Sequence, residues 1–328
     1  MRESSGTCDR VKSSLNFNAS KKFNVMVKWL SSKLAQQVSA AALMVGMLAS
    51  PSLAKDPFRT TNPRPISDRT EAAFRAIFEK GDYRNIQTLL NQTDPNEPLS
   101  FALKGLVAYT SFQGESDPQR KQALLNDFKT YATQTRTTAE QLAKSDPLRG
   151  NIYQAAGTIL EGGYIAATQG TVRGIPQILG NLQQAFRYLD AAERVDPKDP
   201  ELNLIKGLID LTLSANLNLP LSSPTDAIAR LEQTAQPRYL ADRGLAVGYR
   251  DLKQFDKALQ AVDRALSKTP SNPELSYLKA QILVRSQRDR DSIPLFETAL
   301  SKKDQLPAAT VQQIQRELRG AQQRAGGR

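Results

Sequence analysis

The chain contains no histidine and a single cysteine, Cys8, among its 328 residues. Without imidazole, the Ser-His-Asp and Cys-His arrangements for nucleophilic catalysis are excluded, and nearly every zinc site with them. Cys8 lies ahead of the segment described next, so the rest of the chain has no thiol to oxidise, which suits a periplasm or a lumen. Aromatic residues make up only 6% of the chain and basic residues are scattered, so no nucleic-acid module is indicated. No G-x-x-x-x-G-K-[ST] phosphate cradle occurs, and Gly170 and Gly174 in GTVRGIPQILG read as a loop. The carboxylate pairs Asp289 with Asp291 and Asp196 with Asp199 fall where turns cap helices, which gives no support to a glycosidase pair. No cofactor and no metal are expected. Nor does any useful length of chain alternate apolar and polar residues as a half-buried strand would, so the reading is all-α.

What is present begins with an export signal. Lys21, Lys22, Lys28 and Lys33 precede an apolar run from Val38 to Ala49, and Ser52-Leu53-Ala54 supplies the small-x-small site of a signal peptidase. The run is too short to span a bilayer, which takes roughly 20 residues, so no stable membrane span is expected once the signal, residues 1–54, is removed at Ala54. Seven of the 44 Lys/Arg and two of the 33 Asp/Glu lie in those 54 residues, so the remainder carries a net charge of about +6. Residues 55–67 read as a Pro-containing linker, and Asp68 with Glu71 three positions later reads as a capping box opening the first helix.

The most informative pattern lies further on. Ala258, Val262, Ala265 and Pro270 stand 34 residues ahead of Ser292, Phe296, Ala299 and Asp304, and the same ladder appears upstream as Ala185, Leu189, Ala192 and Pro197. A small residue, a large apolar one, a second small one and a helix stopper describe a helix packed closely on a neighbour before the chain turns. Ala246 and Ala280, again 34 apart, mark the matching close approach on a preceding helix, with Tyr249 and Leu283 three positions on. Lys206-Gly207 and Lys104-Gly105 fit the same first-helix pattern. A further unit runs from Ala73 and Phe74 through Gly81-Asp82-Tyr83 to Ile86 and Leu90.

The 34-residue period resembles the tetratricopeptide repeat family. The copies are degenerate: Asp242 and Ser276 stand where the family has tryptophan. The resemblance implies a right-handed superhelical solenoid of antiparallel helix hairpins with insertions. The repeat domain would be residues 68–306, its best copies 239–272 and 273–306, followed by a capping helix and basic tail at 307–328. Val311, Ile314 and Leu318 would anchor that cap, leaving Arg316, Arg319, Arg324 and Arg328 in solvent.

In the family, side chains at the second, fifth, ninth and twelfth positions of each repeat line a concave groove. Here those are Leu240, Arg243, Val247 and Arg250, then Glu274, Tyr277, Gln281 and Val284. Arg243, Arg250, Tyr277 and Gln281 are the candidate partner contacts, expected to be positions that packing does not require. The clamp that holds acidic chaperone tails is absent, since Arg243, Val247, Glu274 and Leu278 occupy its places. In general character the chain is similar to exported bacterial proteins of this family, cyanobacterial ones included, which places it in the periplasm or the thylakoid lumen. The expected function is a non-enzymatic scaffold or assembly factor holding a protein or peptide. An envelope enzyme with an unrecognised carboxylate site and a self-associating structural protein are the alternatives.

Export has a direct check: N-terminal sequencing of the protein from its native host is expected to begin at Lys55. Recovery of a cytosolic form that retains the run from Val38 to Ala49 would overturn it.

Overall fold

A computed structural model describes residues 56–217 and 223–327. The expected signal, with its cleavage site at Ala54, lies outside them, as does Arg328. Among the described residues there is no strand; the fold is all-α. In chain order the helices are α1 (Asp68–Arg75), α2 (Ile86–Asn91), α3 (Pro98–Gly114), α4 (Pro118–Leu142), α5 (Pro147–Val195) and α6 (Pro200–Leu217). There follow α7 (Pro224–Gln233), α8 (Arg238–Asp251), α9 (Phe255–Lys268), α10 (Pro273–Arg285), α11 (Asp289–Leu300) and α12 (Ala308–Gly326). A π-helical turn, Ala76–Lys80, extends α1. Six of these helices open on proline, whose missing N–H is one that a first helical turn leaves unbonded in any case.

The alanine ladder is a packing ladder. Ala258, Val262 and Ala265 of α9 are fully buried against α8, and Phe296 and Ala299 of α11 against α10, where Ala280 makes the close approach. The helices stack as α8/α9, then α10/α11, then α12, with α9 against α10 and α11 against α12. Upstream, Ala185, Leu189 and Ala192 pack on Leu148, Ile152 and Ala155. These are two arms of α5, which reverses at Gly170 (φ 66°, ψ 179°), a conformation without steric cost only for glycine. The stretch expected as a loop around Gly174 and Pro176 is thus helical, broken only at Gly170.

α3 is apolar on two sides and therefore buried between layers. Ala108 and Tyr109 pack with Leu125 and Phe128 of α4, while Leu99, Leu103 and Val107 belong to the large core shared with α1, α6, α8 and α10. At its end, Gly114 abuts Ala309 at the start of α12, so the last helix returns to the third.

Residues 56–67 are not a linker. Asp56, Phe58, Arg59 and Ile66 are all buried. The Arg59 guanidinium donates to Asp56 Oδ2 at 2.9 Å, Asp199 Oδ2 at 2.7 Å and Glu201 Oε2 at 2.8 Å. Glu201 also accepts from the Tyr153 hydroxyl, and the Arg149 guanidinium lies 3.5 Å from it while donating to the Pro65 carbonyl. Burial alone would lower the pKa of Arg59, but Glu201, Asp199 and Asp56 outweigh it and raise the value. The segment is a strap fastened by charge to the starts of α5 and α6. The cap of α1 also differs from expectation: Ser67 is the N-cap and accepts from Thr70 N–H, with Asp68 and Glu71 in the first turn. The N-cap N–H of Ser67 goes to Glu97, 30 residues on, so the expected Asp68–Glu71 capping box is not what closes this end.

Three of the hairpins turn through a left-handed residue: Gly81 (φ 73°), Lys253 (φ 61°) and Gln287 (φ 63°). The last two are one 34-residue period apart. A side chain in this conformation costs about 1–2 kcal/mol, and glycine loses about 0.5–1 kcal/mol more backbone freedom on folding. Lys253→Gly and Gln287→Gly are each expected to raise stability by roughly 0.5–1 kcal/mol. Urea denaturation measures this, and a loss of stability in both variants would contradict it.

Candidate partner-binding groove

The inner row of the repeats lies on α8, α10 and α12, near whose starts the first repeat positions recur one period apart at Tyr239, Pro273 and Pro307. The row is polar and continuous. Arg243 forms an ion pair with Glu274 at 2.6 Å, joining α8 to α10. Two turns further along, the Arg250 guanidinium donates to Gln281 Oε1 at 2.9 Å and to Asp251 Oδ1 at 3.0 Å. Gln281 donates to Glu317 Oε2 of α12 at 3.0 Å, and the Tyr277 hydroxyl donates to Glu317 Oε1 at 2.9 Å. Burial raises the pKa of Tyr277, and the Glu317 carboxylate raises it further, so the phenol keeps its proton and acts as donor.

The sequence-derived candidates are therefore brought together, but they are not open. Arg243 is 7% exposed, Arg250 4% and Tyr277 2%, with only Gln281 half-buried. The expectation that packing does not require these positions is corrected. The chain's own N-terminal segment meets the heads of these inner helices. Asn272, at the head of α10, donates its amide to the carbonyls of Phe78 and Glu79 at 3.4 and 3.3 Å. The Tyr83 N–H donates to Gln305 O at 3.2 Å, and the Tyr83 ring packs in the cluster that holds Tyr277.

Two residues of this row escaped the sequence reading. Glu317 sits on the cap beside the anchors Ile314, Val311 and Leu318, in the register of the packing positions Tyr249 and Leu283, so the groove register does not mark it. Asp242, in the family's tryptophan position, is buried and takes Arg238 at 3.1 Å and Arg264 of α9 at 2.8 Å, so an ion pair replaces a ring between the helices. On the outer side, a crevice of about 450 Å³ between α9 and α11 is lined by Leu259, Leu283, Pro294 and Leu295. Its rim charges pair among themselves, Lys279 with Asp263 and Arg288 with Asp291. At the C-terminus, Arg324 pairs with Asp289, while Arg316 and Arg319 are exposed.

Residues 243–308 match the Tetratricopeptide repeat family model. That span contains α9, α10 and α11 and most of α8, the part of the chain with the regular 34-residue period. No curated protein matches the chain. Among solved structures, the crystal structure of the APC/C hetero-tetramer Cut9-Hcn1 aligns with 73% of this chain at 17% identity and a TM-score of 0.34. The chain spans 47% of that protein's length. Over the matched residues the paired helices α8/α9 and α10/α11 are TPR-like hairpins, and a tetratricopeptide repeat suggests a protein partner.

Removing Arg243 would leave Glu274, 2% exposed, without its ion partner. Arg243→Ala is expected to lower stability by about 3–5 kcal/mol, and adding Glu274→Gln to recover part of the loss by removing the buried charge. Urea denaturation of the single and double variants checks both; an Arg243→Ala protein as stable as the parent would show that the pair is solvated.

Proposed function

We propose that the protein is an exported scaffold or assembly factor that holds a protein partner on its tetratricopeptide repeats. The observation that carries this is the row from Arg243 to Glu317. Arginine, tyrosine, glutamine and glutamate recur on successive inner helices at the positions where the matched family is open to partners. Arginine offers a planar fork for carboxylates and tyrosine a rigid amphipathic face, the residue types that dominate binding at protein interfaces. Export rests on the sequence alone: the lysine-flanked apolar run and the site at Ala54 place the protein in a periplasm or lumen. The described residues contain no helix long and apolar enough to cross a membrane, and no group of three or more His, Cys, Asp or Glu placed to hold a metal ion.

The test is affinity capture from the native compartment with variants that keep the fold. Tyr277→Phe with Gln281→Ala removes hydrogen-bonding groups from the row while leaving the ring in place. Truncated hot-spot contacts cost about 2 kcal/mol, roughly thirtyfold in affinity, so this variant is expected to lose its partner when captured at a temperature where circular dichroism shows it folded; its melting temperature is expected to fall, because Glu317 loses two donors and Arg250 an acceptor. Arg316→Ala with Arg319→Ala is the control. Retention by the row variant and loss by the control would move the binding surface to α12.

A further inference from the structure

The strap begins at Asp56, the second residue past the cleavage site at Ala54, and its geometry bears on when that site is open. A peptidase holds its substrate as an extended segment on both sides of the bond it cuts, so a chain is nicked where its backbone is exposed and free of other bonds. The residues that follow the Ala54–Lys55 bond are neither. Asp56 is 6% exposed, and its carboxylate gathers the chain onto itself. Oδ1 accepts the Phe58 N–H at 2.9 Å, which bends the backbone over residues 57 and 58, and Oδ2 accepts the Arg64 N–H at 3.0 Å. Phe58 is buried with its ring edge-on to that of Phe74 in α1, the centroids 5.0 Å apart. Arg59 then ties the segment to Asp199 and Glu201 at the start of α6.

From this we infer that processing and fastening exclude one another: the Ala54–Lys55 bond is cut before the strap seats, and a seated strap closes it to the signal peptidase. The inference rests on the export reading above and adds the order of its steps. The reaction is hydrolysis, in which water gives its hydroxyl to the Ala54 carbonyl and the Lys55 nitrogen leaves as an amine with the remaining proton. A bond beside a structured segment is cut through the open state, at a rate scaled by how rarely that state forms. Opening this segment strips Arg59 from three carboxylates at once and leaves buried charges without partners. Its distant counter-charges stand 140 and 142 residues further on, so a chain emerging from its N-terminus presents the site for the whole interval before they exist. A chain that folds unprocessed is trapped with its apolar run attached.

The test uses the full chain, apolar run included, in detergent micelles with a purified type I signal peptidase. One sample is diluted from urea straight into the peptidase and a second is folded first, as circular dichroism checks; release of the chain that begins at Lys55 is timed in both. The folded parent is expected to be cut about tenfold or more slower than the diluted one. Arg59→Ala removes the charge tie, and Asp56→Ala removes the bend while leaving Arg59 its two distant partners. Each is expected to shrink the ratio of the two rates by about threefold or more. Because every variant is compared with its own diluted sample, a changed sequence preference of the peptidase cancels. A folded parent cut as fast as the diluted one, or variants that fold yet keep the parent's ratio, would overturn the inference, and the parent comparison decides it even where a variant does not fold. Absence of cleavage after Ala54 in the diluted parent would instead overturn the export reading beneath it.

Discussion

The buried charge cluster around Arg59 is the constraint on which the rest of the architecture depends. Arg59 and Arg149 meet Asp56, Asp199 and Glu201 in a place where all five side chains are nearly inaccessible. Such a cluster adds little net stability over an apolar substitute, because desolvation consumes most of the attraction. It nonetheless admits one arrangement, since any partner left out would be a naked buried charge. Its effect is therefore on register. It fixes the strap against the first turns of α5 and α6, and Phe58 and Ile66 then direct α1 onto the face of the repeats.

The repeats contribute a different kind of order. Their apolar seams, Ala258 to Ala265 and Phe296 with Ala299, need only the neighbouring helix, as in any stacked array. Their polar seam needs the neighbour as well, because Arg243 reaches Glu274, and Arg250 reaches Gln281 and through it Glu317. α12 closes both seams. Ile314 and Ala321 complete the apolar one and Glu317 the polar one, so this helix stands where the first helix of another repeat would stand.

How much of this the sequence disclosed follows from the range of the interactions. The ladders at Ala185, Ala258 and Ser292 were legible because a helix seam writes itself at fixed short intervals and the repeat copies it 34 residues on. The strap was not. Its prolines and charges have the composition of a linker, and what makes it structural is Glu201, 142 residues away, together with Asp199. The inner row was half legible: its register placed Arg243, Arg250, Tyr277 and Gln281 on one continuous face. The heads of their helices meet Phe78, Glu79 and Tyr83, which share no sequence period with them. The cap of α1 likewise rests on a distant residue: Glu97, 30 positions on, takes the N–H of the N-cap Ser67.

The distance between the strap and its anchors also sets an order in time. A chain made from its N-terminus at about 5–20 residues per second exposes Arg59 roughly 7–28 seconds before Asp199 exists. Throughout that interval the strap has no counter-charges to close on, and its arginines, prolines and aspartate keep it hydrated and apart from the emerging helices. This end of the described fold is thus made early yet cannot be fastened before residues 199–201 exist, and its linker-like composition suits a segment that must wait in water.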